Sequence, residues 1–236
     1  SGHCVDSFLG AKGTADEVIP QLSIIVHECG HFLDMGSADS VGATYILTKD
    51  VSFACAQGAA TSLGGVTFAL SLINGDEFSA ARPPCESPDS SGCDHYAETY
   101  LDGDPNDEMF QYGDQGFDSL LEEAVQYVNS LATGYAFHDH YASVSSERDG
   151  ILTFLWYVER YLHMARTTYP DVYQLLSEDP CWREAILSIW GRAFIFLELT
   201  KDLPNLGYQD EAILDVVMNP LLLGEVQKLR DAAGCP

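Results

Sequence analysis

Apolar residues recur at helical spacing through the C-terminal half of the chain. Phe117, Leu120, Leu121, Ala124, Val128 and Leu131 share one face of a helix predicted over 117–132. Residues 151–165 are apolar on nearly every side, which suits a central helix. Over 182–199, Ile186, Ile189, Trp190, Ala193 and Leu197 form another stripe, and 210–217 and 221–229 add two shorter helices divided by Asn219-Pro220. Nearer the start, the apolar run 18–26 leads into a further helix with Phe32, Leu33 and Met35 beyond it and Gly36 suited to its C-terminal end. That run predicts a buried helix. Strand signals are fewer: 44–48 and 51–55, turned by Thr48-Lys49-Asp50, and 66–72. The glycine-rich stretch 58–65 fits a loop or a helix, and 83–116 reads as an irregular excursion opened by Arg82-Pro83-Pro84. The pattern predicts a helix-rich α+β fold with a helical C-terminal half, in a single domain over 1–236.

The first predicted helix carries His27-Glu28-Cys29-Gly30-His31. Histidines four apart lie on one helix face, so both imidazoles can reach one metal ion. Glu28 stands beside the first of them, where a carboxylate can take the proton of a water whose pKa zinc has lowered. In an apolar helix such a polar face is costly without partners, which favours a metal site over a chance match. Asp34 is a candidate acceptor for a ligand's second ring nitrogen.

This motif and its helix resemble the zincin metallopeptidases, over a small part of the chain. The resemblance implies zinc held by His27 and His31, Glu28 as general base, and a third protein ligand downstream. A metzincin would carry Gly at position 34 and His at position 37, where this chain has Asp34 and Ser37. The better resemblance is to gluzincins, whose third ligand is a downstream acid. What it implies is a zincin-like fold with its active-site helix near the N-terminus, acting as a secreted zinc metalloendopeptidase on protein or peptide substrates. Zincins commonly place a sheet before that helix, and little chain precedes it here. Two other readings stay open: a binding or adhesion module with a closed structural zinc site, and a zinc amidase acting on a cell-wall peptide.

Two acids compete for the third position. Glu123 falls within the apolar face of the 117–132 helix, between Leu120 and Tyr127, where a carboxylate needs a partner. Glu122 is expected on the other side with Asp118 and Asn129. Glu98, in Asp94-His95-Tyr96-Ala97-Glu98-Thr99-Tyr100, projects off the apolar side formed by Tyr96, Ala97, Tyr100 and Leu101. The amphipathic argument favours Glu123. Tyr127, His138 and His140 are candidate donors to an oxyanion. Glu159 and His163, four apart, could form a second metal face, although an ordinary helix pair is the simpler reading. Asp102-Gly103-Asp104-Pro105-Asn106-Asp107-Glu108 offers oxygen ligands for Ca2+ but lacks the Gly and Glu spacing of an EF-hand.

Charge and cysteine usage narrow the setting. Hydrophobic residues make up 46% of 236, enough for a sizeable core. Thirty-six acids against 11 bases give a net charge of -25, which argues against nucleic acid or an anionic membrane as partner. No run is apolar enough to span a bilayer, and a monomer is expected. Residues 1–14 are polar, without the features of a signal peptide, so the chain is expected to start at a processed or engineered end. Seven cysteines fit an oxidising compartment, hence secretion or the periplasm. With Cys29 set aside inside the motif, six remain. Cys85 and Cys93 bracket a short Ser/Pro/Asp/Gly segment, Cys4 and Cys235 lie near the termini, and Cys55 with Cys181 is the remainder. Reduced cysteines acting as small core residues are the alternative.

Overall fold

The computed structural model describes residues 3–37, 42–56, 96, 100, 116–141 and 143–235. Two short helices, α1 (Cys4–Phe8) and α2 (Ala15–Val18), precede α3 (Leu22–Ser37), which carries the histidine motif. A hairpin follows. β1 (Gly42–Thr48) pairs antiparallel with β2 (Val51–Ala56), with Tyr45 opposite Phe53. The Thr48 hydroxyl accepts the N–H groups of Asp50 and Val51, which closes the turn locally. Ala43, Tyr45 and Leu47 alternate onto the buried side of β1.

The rest is helical: α4 (Gly116–Phe137), α5 (Glu147–Thr168), α6 (Pro170–Glu178), α7 (Pro180–Thr200), α8 (Asp210–Val217) and α9 (Pro220–Ala232). Prolines open α6, α7 and α9, where a missing N–H costs nothing. Asp179 caps α7 by accepting from the N–H groups of Cys181 and Trp182. α4 buries the stripe read from sequence, and α5 is enclosed along most of its length. One apolar cluster runs from Ala43 on the hairpin to Leu229 on α9. The result is a helix-rich α+β fold with a small two-stranded sheet, as the pattern predicted. No described helix is long and apolar enough to cross a membrane.

Several expectations change. The motif helix is not buried all round: Ile24, Phe32, Leu33 and Met35 are exposed, while Ser23, Ile25 and Asp34 are covered. Among the described elements α3 packs chiefly on α4, β1 and α1, so its remaining side has no described neighbour to cover it. Cys55 and Cys181 do form a disulfide, tying β2 to the first turn of α7. Cys4 instead pairs with Cys29, and Cys235 is free and exposed. Cys29 is two residues past His27, about 200° around the helix, so its sulfur leaves from the side opposite the imidazoles and is available to α1. The expected 66–72 strand, the 58–65 stretch, Cys85, Cys93 and the acid cluster at 102–108 lie outside the described residues.

Candidate metal centre

α3 lies along α4, and a glycine sets how closely. A Cβ on Gly30 would stand 1.7 Å from Oε1 of Gln126, which no Cβ could tolerate. The absence of that atom lets the motif helix settle onto the polar strip of α4. Gly150 does the same for α5, where a Cβ would meet the Tyr127 ring at 2.0 Å.

At this contact two neighbouring carboxylates straddle one imidazole. His31 Nδ1 lies 2.5 Å from Glu122 Oε2, and His31 Nε2 lies 3.4 Å from Glu123 Oε1. His27 Nε2 reaches Glu123 Oε2 at 3.3 Å. One ligand atom from each of His27, His31 and Glu123 can be chosen so that all three lie within 4.8 Å of one another. The two rings stand edge to face at 4.8 Å between centroids.

Hydrogen bonds fix this donor set from outside. The Tyr100 hydroxyl donates to Glu123 Oε1 at 2.7 Å. Gln126 donates through Nε2 to Glu122 Oε1 and Asp34 Oδ2, while Asp34 Oδ1 accepts the N–H of Ile46 on β1. Gln126 Oε1 accepts from Asn129, whose own oxygen accepts from Arg192 on α7. The Tyr127 ring packs edge to face on His27 at 4.6 Å, and its hydroxyl donates to that of Tyr96.

Burial disfavours the His31 imidazolium, yet the Glu122 hydrogen bond and the charges of Glu123, Glu122 and Glu28 outweigh it and lift its pKa to about 9. Burial, then the charge of Glu122, pushes the Asp34 carboxyl up. Burial also raises the Tyr100 and Tyr127 hydroxyls far above the usual tyrosine range, with the Glu123 charge adding to both, so they remain donors. Glu123 is 7% exposed, and its Oε2 accepts no hydrogen bond among the described residues. One buried carboxylate thus faces an imidazole nitrogen with each of its oxygens, Oε2 toward His27 and Oε1 toward His31, and such a cluster of lone-pair donors suits a divalent cation. The donor set of two imidazoles and a carboxylate is the chemistry zinc takes, so the residues fit that ion.

The structure thus brings together His27, His31 and Glu123 and places Tyr127 beside them; Glu98 lies outside the described residues. Two roles move. Glu122, expected to face away, holds the second nitrogen of His31, the part foreseen for Asp34, which instead braces Gln126 and β1. Asp118 is buried as well, and Asn129 joins the network. The reason is that Glu122, Gln126 and Asn129 recur at helical spacing, and this second strip faces α3 instead of water. His138 and His140 leave the site: they begin fifteen residues past Glu123, about 22 Å along the helix, where His138 bonds the Tyr135 carbonyl. His163 pairs with Glu225, not with Glu159, so neither a second metal face nor a simple helix pair forms there. Tyr100 was missed as a site residue; its place four positions after Tyr96 in the sequence was the available signal.

A cavity of about 160 Å³ opens beside the motif, with His27, Glu28, Tyr127, Ser23, Ser130 and Glu147 among its lining residues. No protein-family model, no curated protein and no solved structure matches this chain.

Proposed function

We propose that this protein is a zinc-dependent metallopeptidase. The observation that carries the reading is the meeting of His27, His31 and the buried carboxylate of Glu123, with ligand atoms within 4.8 Å of one another, beside a cavity that Glu28 also lines. His27, His31 and Glu123 would hold the ion, and Glu122 would fix the His31 tautomer through Nδ1. Zinc bound there supplies a Lewis acid and lowers the pKa of a coordinated water.

Glu28 takes the proton of the attacking water and returns it to the leaving amine. Tyr127 lines the same cavity with a hydroxyl that stays protonated; by turning its one proton away from the Tyr96 oxygen it would donate to the developing oxyanion. Tyr100 keeps the Glu123 carboxylate turned toward the imidazoles. Two disulfides fit an oxidising compartment, and secretion or a periplasmic location is the setting proposed.

The test is Glu28→Gln. The expected result is loss of peptide hydrolysis with one zinc per chain retained, read by mass-spectrometric cleavage assay and metal analysis. Undiminished cleavage by that variant would overturn the mechanism.

A further inference from the structure

A chain of hydrogen bonds runs from α7 to the metal centre, and its direction is fixed at both ends. It begins at Arg192, whose Nη1 donates to Asn129 Oδ1 on α4 at 2.7 Å. Asn129 Nδ2 donates to Gln126 Oε1 at 3.0 Å. Gln126 Nε2 then donates to Glu122 Oε1 at 2.7 Å and to Asp34 Oδ2 at 3.0 Å. Glu122 Oε2 stands 2.5 Å from His31 Nδ1, where the chain ends. A guanidinium can only donate, and a carboxylate can only accept. Each amide between them offers one oxygen and one NH2 group, so a single orientation of each serves both its neighbours. Turning Asn129 over would set its NH2 against the guanidinium and its oxygen against that of Gln126. Gln126 is fully buried, so water does not make good a lost partner there.

We propose that Arg192 is a positioning residue for the metal centre: acting through Asn129 and Gln126, it holds Glu122 on His31 Nδ1 and so leaves His31 Nε2 as the nitrogen that meets an ion. Its effect on metal binding rests on the zinc reading, and the chain itself does not. Gln126 occupies Glu122 Oε1, so Oε2 is the oxygen left for the imidazole, and it requires the proton on Nδ1. Asp34 takes the other Gln126 hydrogen and is itself held by the Ile46 N–H, which anchors the amide plane to β1. Arg192 is held in turn, with its guanidinium over the Phe196 ring one helical turn on, 5.7 Å from the centroid. The guanidinium charge polarises the bonds between it and the carboxylate, which strengthens each of them. Through this chain α7 reaches a site built on α3 and α4.

Two measurements test this. In the first, proton–nitrogen NMR of the metal-free protein times the exchange of the His31 Nδ1 proton with water. Arg192→Met keeps the stem and removes the donor, and exchange about threefold to tenfold faster than in the wild type is expected for the loss of one hydrogen bond upstream. Asn129→Asp separates the chain from packing, because the new carboxylate still accepts from Arg192 but cannot donate to Gln126. The same acceleration is expected there. Wild-type exchange in either variant overturns the proposal. In the second, zinc affinity is measured by competition with a chelating dye. Arg192→Met is expected to weaken binding about threefold to tenfold, below the roughly 10–100-fold of a direct partner, and to add nothing in the Glu122→Ala background. A loss of equal size in both backgrounds overturns the route through Glu122. A wild type that takes up no zinc overturns the metal reading and with it the part of Arg192 in metal binding, while the exchange rates still decide the chain.

Discussion

Glu122 is the residue on which the geometry of His31 depends. It holds Nδ1 at 2.5 Å and is itself held by Gln126. Partners of this kind typically contribute about 10–100-fold to metal affinity. Glu122→Ala is therefore expected to weaken zinc binding by about that range, measured by competition with a chelating dye, while circular dichroism stays unchanged. Equal affinity in the two proteins would mean that His31 is oriented by packing alone. A second residue, Glu159, has both carboxylate oxygens buried without a hydrogen-bond partner among the described residues. Burial raises its pKa from 4.5 to about 9. Between those values the native state holds a proton that the unfolded chain has released, so the stability contributed by this group falls as pH rises from 4.5 to about 9. Glu159→Met is expected to stabilise the protein by about 1–3 kcal/mol at pH 8, with the gain shrinking toward pH 4.5. Urea titrations at the two pH values check this, and a pH-independent difference would contradict it.

At the scale of elements, the site is a product of how α3 meets α4. Gly30 makes the approach possible, and the buried Gln126 occupies the space a side chain would need. Gly30→Ala forces the helices apart or expels the Gln126 amide from its bonds to Glu122 and Asp34. Overpacking of this kind costs about 1–3 kcal/mol, and zinc affinity should fall with it because Glu122 and Glu123 move away from the imidazoles. Trimming the obstacle in the double variant Gly30→Ala, Gln126→Ala should recover part of the lost stability. Strict additivity in that cycle would show that the two residues do not meet.

At the scale of the molecule, the two disulfides act on different parts. Cys4–Cys29 fastens the N-terminal segment to the back of the motif helix. Cys55–Cys181 joins the hairpin to α7 across 126 residues of chain. A loop that long loses considerable entropy when closed, so replacing both Cys55 and Cys181 by Ala should cost about 2–5 kcal/mol. A thermal melt that does not move would show that the hairpin is held by Tyr45 and Trp182 packing without the bridge.

Much of this was open to the sequence. Apolar spacing located the helices over 117–132, 151–165 and 182–199 and the hairpin pair, because a local period of 3.6 or 2 survives whatever the chain packs against. The same logic placed His27 and His31 on one face and picked out Glu123 as an acid within an apolar stripe. Periodicity cannot say which element a face will meet. It marked α3 as buried when one side of it is exposed, and set Glu122 among outward residues when that strip turns to α3. The Cys4–Cys29 bridge and the Tyr100 contact likewise join residues far apart in the chain. The sequence by itself determined the helices, the hairpin and the face that carries both histidines, since those are encoded over a few turns of chain. Only the tertiary structure decided which carboxylates reach the imidazoles and which remain bare, because that depends on how closely two helices approach.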